Sequence, residues 1–261
     1  MPEPTPRVRP SAIAGHWYPG NPATLRRDIE RYLDAAPPRR STGRIFGLVA
    51  PHAGYAYSGP TAGRAFAQLR DAAVRGASFT RVVLLGPLHR PIRGARLAPF
   101  MMPRERAYRT PLGDAPIDRD FLGALGEKVP LAAVEGDEEH SLEIELPFLQ
   151  VALGAFTLAP ILLSEHIADP RAMERVAQLA AALAETVDER TLLVASTDLS
   201  HMEDYDAVVR TDRRLVDLVA AFDVEGVTQA LASETAQACG AVGLATALAA
   251  CRQLGARGAE V

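Results

Sequence analysis

The chain has 261 residues, near the upper size for one hydrophobic core, and its 48% apolar and 23% charged residues are ordinary for a globular protein. The formal net charge of -4, with no basic run, argues against a nucleic-acid-binding surface. No apolar stretch approaches the ~18 residues that span a bilayer, and the N-terminus lacks the apolar centre of a signal peptide. We therefore expect a cytoplasmic protein whose two cysteines, Cys239 and Cys251, are reduced.

The N-terminal part of the chain predicts a helix followed by a buried strand. Asn21 and Pro22 are typical of a helix start, as an N-cap followed by proline at the first helical position, and this helix should end at Pro37. Residues 45–50 are a short apolar run, which predicts a strand. Proline and glycine then break the pattern around His52, so that His52 follows the carboxyl end of the strand.

The rest of the chain alternates between predicted helices and strands. We predict a helix at 61–69, then a strand at 82–85 that ends before Gly86-Pro87, and then a long loop from 89 to 121 with a turn at 110–114. A helix fragment at 121–125 and a helix within 135–150 that Pro147 kinks come next. The last predicted elements are a strand at 157–163, a helix at 173–187, a strand at 192–195, a helix around 215–222 and a small-residue helix at 241–251. This alternation predicts a single α/β domain with a mainly parallel sheet and helices on both faces.

Three histidines follow three of the predicted strands. His52 follows the first, His89 follows the strand at 82–85, and His201 follows the strand at 192–195 together with Asp198. Any one of them alone is as consistent with a hydrogen-bonded structural residue as with a ligand. Because ligands bind outside the carboxyl ends of strands in open α/β sheets, the shared placement favours a functional site.

Cys239 is the fourth candidate. It precedes Gly240 and the predicted helix at 241–251, so that its thiol lies near a helix N-terminus, where the macrodipole favours the thiolate. The thiolate is the form that binds metals. Cys251, inside the helix, is interpreted as a small buried core residue.

Five motifs in order resemble the Memo family, also called AmmeMemoRadiSam system protein B. The resemblance extends from Gly15 almost to the end of the chain. The motifs are Pro51-His52-Ala53-Gly54-Tyr55, Gly86-Pro87-Leu88-His89, Glu139-His140-Ser141-Leu142-Glu143, Ser196-Thr197-Asp198-Leu199-Ser200-His201 and Cys239-Gly240.

The resemblance implies a fold similar to class III extradiol dioxygenases. It also implies a metal site with His52, His89 and Cys239 as ligands, and with His201 and Asp198 as catalytic residues in the same pocket. His201 matches the acid/base position of the dioxygenases. Those enzymes use a carboxylate as the third ligand, whereas here a thiolate takes its place, so dioxygenase activity does not follow directly. Imidazole and thiolate ligands indicate iron or copper, with zinc as a further candidate.

The chain also departs from the family pattern. His16 stands where a small residue is commoner, and Ala241-Val242-Gly243 replaces a polar tripeptide after the Cys-Gly pair. Family members usually continue beyond the point where Val261 ends this sequence. We therefore expect a single domain over 1–261 that lacks the family's C-terminal strand region.

Two functional hypotheses remain open. The first is a mononuclear non-haem metal oxidoreductase, dioxygenase-like, that acts on an unknown small molecule. The alternative is a non-catalytic metal-binding or partner-binding protein that acts with AMMECR1-like and radical SAM partner proteins of the same gene system. A third, weaker hypothesis is a metal-free enzyme with Cys239 as nucleophile and His201 as base. No phosphate-binding glycine loop or serine-hydrolase elbow is present in the sequence.

Overall fold

Helices and strands alternate along most of the chain. The structure is a computed structural model that describes residues 7–37, 43–74, 76 and 78–261. In these residues the elements are β1 (Val8–Arg9), α1 (Pro22–Asp34), β2 (Gly47–Ala50), α2 (Tyr55–Val74), β3 (Arg81–Pro87), β4 (Phe100–Pro103), β5 (Ala107–Thr110), β6 (Gly113–Pro116), α3 (Arg119–Gly126), β7 (Ala132–Val134), α4 (His140–Glu143), α5 (Leu146–Leu153), β8 (Thr157–Leu163), α6 (Ala172–Thr186), β9 (Thr191–Ser196), α7 (Tyr205–Ala220), α8 (Val224–Ala232) and α9 (Ala241–Gln253).

The main sheet is built around parallel central strands. Among the described residues it has six strands in the order β2-β9-β3-β8-β4-β7. The first four are parallel to one another, while β4 pairs with β8 in the antiparallel sense and with β7 in the parallel sense. The predicted single α/β domain with a mainly parallel sheet is therefore confirmed. A smaller sheet, β1-β5-β6, lies beside it.

The core lies between this sheet and two groups of helices. Residues 82–85 of β3 and 192–195 of β9 are fully buried, as continuous apolar runs in a central parallel strand require. One group of helices, α1, α2 and α5, contacts the sheet through β2, and the other group, α6, α8 and α9, contacts it through β2, β3 and β9. Where α1 crosses α2, a Cβ at Gly63 would lie 2.6 Å from the carbonyl oxygen of Tyr32, so only glycine permits this close approach.

Several predicted boundaries agree with the structure. Asn21 caps α1 and its side chain accepts a hydrogen bond from the Thr24 backbone N–H, and β8 has the predicted bounds. Helix α1 ends at Asp34, a turn before Pro37. Helix α2 is much longer than the predicted 61–69 and includes Pro60. Pro60 and Ala56 lie on the exposed side of α2, where the loss of one helical hydrogen bond at proline is least costly.

Other predicted boundaries were wrong, because tertiary contacts override local breakers. Strand β3 continues through Gly86 and Pro87, where it still pairs with β8. The predicted long loop from 89 to 121 contains β4, β5 and β6, which are too short and too rich in proline and arginine to show a period. The turn at 110–114 is correct and joins β5 to β6.

Two helix predictions also need correction. The single kinked helix predicted within 135–150 is two helices, α4 and α5, and Pro147 occupies the first turn of α5, where no N–H is needed. Phe222 lies outside α7, with a φ of 53°. Helix α8 and strand β7 were not predicted. No helix in the described parts of the chain is long and apolar enough to cross a membrane.

A buried arginine joins the N-terminal segment to the loop before α4. Arg9 is 1% exposed, and its guanidinium donates to Asp137 Oδ1 at 2.9 Å, to Glu143 Oε2 at 2.6 Å and to the carbonyl oxygen of Glu139 at 2.6 Å. Glu143 also accepts a hydrogen bond from the Tyr18 hydroxyl at 2.8 Å. These ion pairs are shielded from water, so the loss of one partner leaves uncompensated buried charge.

We predict that Arg9→Met destabilises the protein by about 3 to 5 kcal/mol, because Asp137 and Glu143 lose their shared cation. The free energy of unfolding should be measured by urea denaturation at neutral pH. Arg213→Ala is the matched control, since Arg213 forms an exposed ion pair with Asp217 within one helix and should leave the midpoint unchanged. Equal midpoints for the two variants would contradict the prediction.

Candidate metal centre

Two histidines and one cysteine come together at the carboxyl edge of the main sheet. The donor atoms of His52, His89 and Cys239 all lie within 4.8 Å of one another. His52 follows β2, His89 follows β3, and β9 lies between these two strands. Two of the three strand-end histidines therefore converge, and the third member of the group is Cys239 rather than His201, whereas a bound metal stays a prediction.

Cys239 reaches this edge because a glycine follows it. A Cβ at Gly240 would lie 2.4 Å from the carbonyl oxygen of Ser196, so a larger residue would push the start of α9 away from β9. The Gly240 backbone N–H donates to the Thr197 hydroxyl at 2.8 Å, which fixes this approach. The Cys239 Sγ then accepts a hydrogen bond from the Asp198 backbone N–H at 3.2 Å.

His52 is held by a chain of buried hydroxyl and carboxyl groups. Its Nδ1 lies 2.9 Å from Ser196 Oγ, which lies 2.6 Å from the Ser141 carbonyl oxygen and 2.9 Å from Glu145 Oε1. Ser196 Oγ donates toward these two oxygens, so its proton is not available to the ring, and His52 Nδ1 must donate to Ser196 Oγ. Burial raises the pKa of Glu145 well above its usual range.

This accounting fixes the tautomer of His52. Its Nδ1 carries a proton, and its Nε2 lies 3.0 Å from Cys239 Sγ. With the ring proton on Nδ1, the Nε2 lone pair of His52 and the sulfur of Cys239 are both available to a metal cation.

His89 is held by the buried carboxylate of Glu139. Glu139 Oε2 accepts from the His89 backbone N–H at 2.6 Å, and Oε1 lies 3.0 Å from His89 Nδ1. Burial by itself raises the pKa of Glu139, but hydrogen bonds from His140, His89 and the Ser141 N–H outweigh it and lower this pKa far below its usual range. The ionised carboxylate only accepts, so His89 Nδ1 donates to it and Nε2 is left for the site.

The electrostatics of the three donors favour an ionised thiol. Burial opposes ionisation of Cys239, but hydrogen bonds with His52 and then His89 outweigh it and lower its pKa to about 5. The hydrogen bond with Cys239, followed by the hydrogen bond with Glu139, raises the pKa of His89 to about 9. Near neutral pH the metal-free site therefore holds a thiolate beside an imidazolium.

Asp198 and His201 have different positions relative to these donors. Asp198 accepts a hydrogen bond from the His52 backbone N–H at 2.8 Å, and its Oδ2 lies 3.9 Å from His52 Nε2. His201 is exposed and is not one of the three converging donors; it lines a cleft of about 280 Å³ that also contains Cys239. The described residues show no hydrogen bond between His201 and Cys239, and the imidazole that faces the sulfur is that of His52.

His140 adds an aromatic contact behind the site. Its ring stacks on that of His89, with centroids 4.7 Å apart, and lies 4.3 Å from the ring of Trp17. His89, Glu139 and His140 form a second group whose ligand atoms lie within 4.8 Å of one another. The Glu139 carboxylate already accepts backbone hydrogen bonds, so this group is better suited to orienting His89 than to holding a second ion.

The groups that orient the histidines, Glu139, Ser196 and Glu145, were not predicted. A signal for Glu139 was available, because an acidic residue directly before a helix start is typical of a cap, and Glu139 accepts the N–H groups of His140 and Ser141. Glu145 gave no such signal, since only burial distinguishes it from a surface glutamate.

The fold and the site define a single-domain α/β protein of the extradiol dioxygenase-like architecture, with two imidazoles and a thiol at the carboxyl edge of its sheet. The family profile described as Memo-like protein matches residues 9–261. The chain belongs to the Memo family.

Relatives from archaea support this membership. The chain is 33% identical to a MEMO1 family protein of Methanopyrus kandleri over 97% of this chain and 90% of that protein. It is 32% identical to a MEMO1 family protein of Methanosarcina acetivorans over 95% of this chain and 88% of the other. A MEMO1 family protein of Methanothermobacter thermautotrophicus is also 32% identical, over 95% of this chain and 90% of that protein.

We predict that the two cysteines differ strongly in alkylation. The pKa of Cys239 is lowered to about 5, whereas burial raises the pKa of Cys251 to about 12. Because only the thiolate reacts, Cys239 in metal-free protein should react fast at neutral pH and slow down as the pH falls through about 5. Bound metal should protect it.

The measurement is peptide-resolved mass spectrometry after iodoacetamide treatment in chelator, from about pH 4 to about pH 9. Cys239→Ser serves as the control that reports labelling of Cys251 alone. Equal rates at the two cysteines, unchanged by added metal, would count against Cys239 as a ligand.

Proposed function

We propose that this protein is a mononuclear non-haem metal protein that carries out a redox or dioxygenase-like reaction on a small molecule. The observation that carries the proposal is the convergence of His52, His89 and Cys239 within 4.8 Å. Imidazole and thiolate are ligands that transition metals prefer. Hydrogen bonds hold both imidazoles with Nδ1 protonated, which leaves each Nε2 for a metal. The lowered pKa of Cys239 favours the thiolate that a metal binds.

Iron or copper suits this donor set best, and zinc is the further candidate. Hard cations such as magnesium are poorly served by imidazole and thiolate. A redox-active metal bound here would supply electron transfer and activation of oxygen, with coordination positions left open by a three-residue ligand set.

The chain's own residues have separate tasks in this proposal. Glu139 and Ser196 hold the two imidazoles in the required tautomer and orientation. Asp198 holds the His52 backbone and donates its N–H to the sulfur, which stabilises the thiolate. His201, exposed in the cleft next to Cys239, exchanges a proton between substrate and solvent.

A non-catalytic protein is the second candidate. It would keep the same three ligands for metal storage or delivery, and it would act with AMMECR1-like and radical SAM partner proteins. The exposure of His201 supports this alternative as well as the first, because no described group holds its ring in one orientation. The metal-free cysteine-nucleophile hypothesis has less support, since the imidazole beside Cys239 belongs to His52 rather than His201.

We predict that Glu139→Gln weakens metal binding roughly 10- to 100-fold, because it removes the negative charge and replaces one of the two acceptor oxygens that hold the His89 segment with an NH2 donor. Metal affinity should be measured by competition with a chromophoric chelator under anaerobic conditions. Glu138→Gln is the matched control, since Glu138 is the exposed neighbour and should leave affinity unchanged. If both variants bind alike, Glu139 has only a structural role.

The reaction itself is tested by oxygen consumption. Elemental analysis of anaerobically purified protein should first find iron or copper at one equivalent or less. With a catechol-like substrate or small reductant, the loaded protein should consume oxygen faster than free metal at equal concentration.

His201→Ala should lower turnover roughly 10²- to 10⁴-fold with metal occupancy retained, whereas His89→Ala should lose the metal. Suppression of oxygen chemistry relative to free metal, across a broad substrate panel, would favour the binding alternative.

A further inference from the structure

The cleft beside Cys239 has the dimensions of a small-molecule site. It holds about 280 Å³ and lies between the 199–201 segment and the stretch that connects α8 to α9. At ~30 Å³ for each water in the liquid, this is room for on the order of nine waters. Ligand pockets usually measure roughly 300 to 1,000 Å³, so the cleft suits a compact molecule of one ring or a short chain.

The fixed charge of the cleft is negative. None of the described residues that line it is a lysine or an arginine, and Glu234 is its carboxylate. Glu234 is exposed, and its side chain makes no ion pair or hydrogen bond within the described residues. An anionic ligand would thus meet no permanently charged cation among these lining side chains, while an ammonium group would meet a free carboxylate.

The backbone at Glu234 is in a conformation that favours glycine. Its φ is 56°, two residues after the end of α8 at Ala232, where the chain reverses. A left-handed residue at this position is usually glycine, because a Cβ is disfavoured there. A glutamate is present instead, and strained residues of this kind concentrate at functional sites.

Other polar groups of the cleft are also without partners. Ser200 Oγ is buried and has no hydrogen-bond partner, and the side-chain amide of Gln237 makes no hydrogen bond in the part of the chain that the structure describes. Together with Glu234 they offer three side chains whose oxygens can accept. The hydroxyl and the amide can donate as well as accept, so the Glu234 carboxylate alone sets the charge of the ligand that the cleft prefers.

We propose that the cleft binds a small organic cation, such as a primary amine or diamine, and that Glu234 is its specificity-determining residue. The ammonium group pairs with the Glu234 carboxylate, and carboxylate and phosphate ligands are disfavoured. This inference rests on the proposed function in one respect: Cys239 of the candidate metal centre also lines the cleft, so a ligand of the cleft would be the substrate of that centre.

Charge-selective labelling of Cys239 tests this proposal without any turnover. Metal-free protein is treated with two methanethiosulfonate reagents of similar size, one carrying a trimethylammonium group and the other a sulfonate. Each rate is divided by the rate of the same reagent with a small free thiol. We expect Cys239 to prefer the cationic reagent roughly three- to thirtyfold at low ionic strength, and less in high salt.

Glu234→Gln should remove most of this preference. Glu189→Gln is the matched control, because it makes the same change in charge at an exposed residue before β9, at the opposite end of the sheet, and should retain the preference. Equal or faster reaction of the anionic reagent with the wild type overturns the proposal. An equal loss of the preference in Glu234→Gln and Glu189→Gln also overturns the proposal, because the preference would then come from net charge alone. Because no metal is present, failure of metal binding or redox activity leaves this readout intact, and the reverse also holds.

Discussion

The buried carboxylate of Glu139 is the interaction on which the geometry of the site depends. A carboxylate shielded from water is costly unless hydrogen bonds compensate it, and here backbone N–H groups from residues 89, 90, 140 and 141 point at its two oxygens. These donors belong to the segment after β3 and to the start of α4, so one side chain joins the two. The backbone carbonyl of the same residue accepts from the Arg9 guanidinium at 2.6 Å. The N-terminal segment, the cap of α4 and the orientation of His89 therefore form one buried polar network.

The parallel strands supply the other half of the geometry. Neighbouring strands lie roughly 4.8 Å apart, so groups at the carboxyl ends of β2, β9 and β3 are within a few ångströms of one another without any long excursion. Ser196, at the end of the middle strand, reaches both His52 and the carbonyl of Ser141. Gly240 then lets the start of α9 approach β9 closely enough for Cys239 to join the histidines. Each donor comes from a different element, and each is held by a group from yet another element, which restricts the site to a narrow range of geometries.

The same arrangement explains how a metal site can coexist with a reactive thiol. The hydrogen bonds that favour the thiolate of Cys239 come from His52 and His89, which are also the proposed ligands. A metal would replace these hydrogen bonds and leave Glu139 and Ser196 in their positions. The cleft beside the sulfur has Glu234 as its free carboxylate, so in the proposed function the metal ligands and the residue that selects the substrate would be different side chains.

The sequence by itself determined the fold class, because buried parallel strands are continuous apolar runs. It also indicated the candidate residues: the breakers after three strands place His52, His89 and His201 on one edge, and Cys239 stands directly before a predicted helix. Only the tertiary structure showed that β4, β5 and β6 form within the predicted loop, because their burial and pairing depend on partners distant in sequence. Only the tertiary structure distinguished His52, whose ring meets Cys239, from His201, which is exposed in the cleft. It also revealed Glu139, Glu145 and Glu234 as a buried anion, a buried acid and a free carboxylate. All three residues are glutamates, and they differ only in burial and hydrogen bonding, which no local sequence pattern encodes.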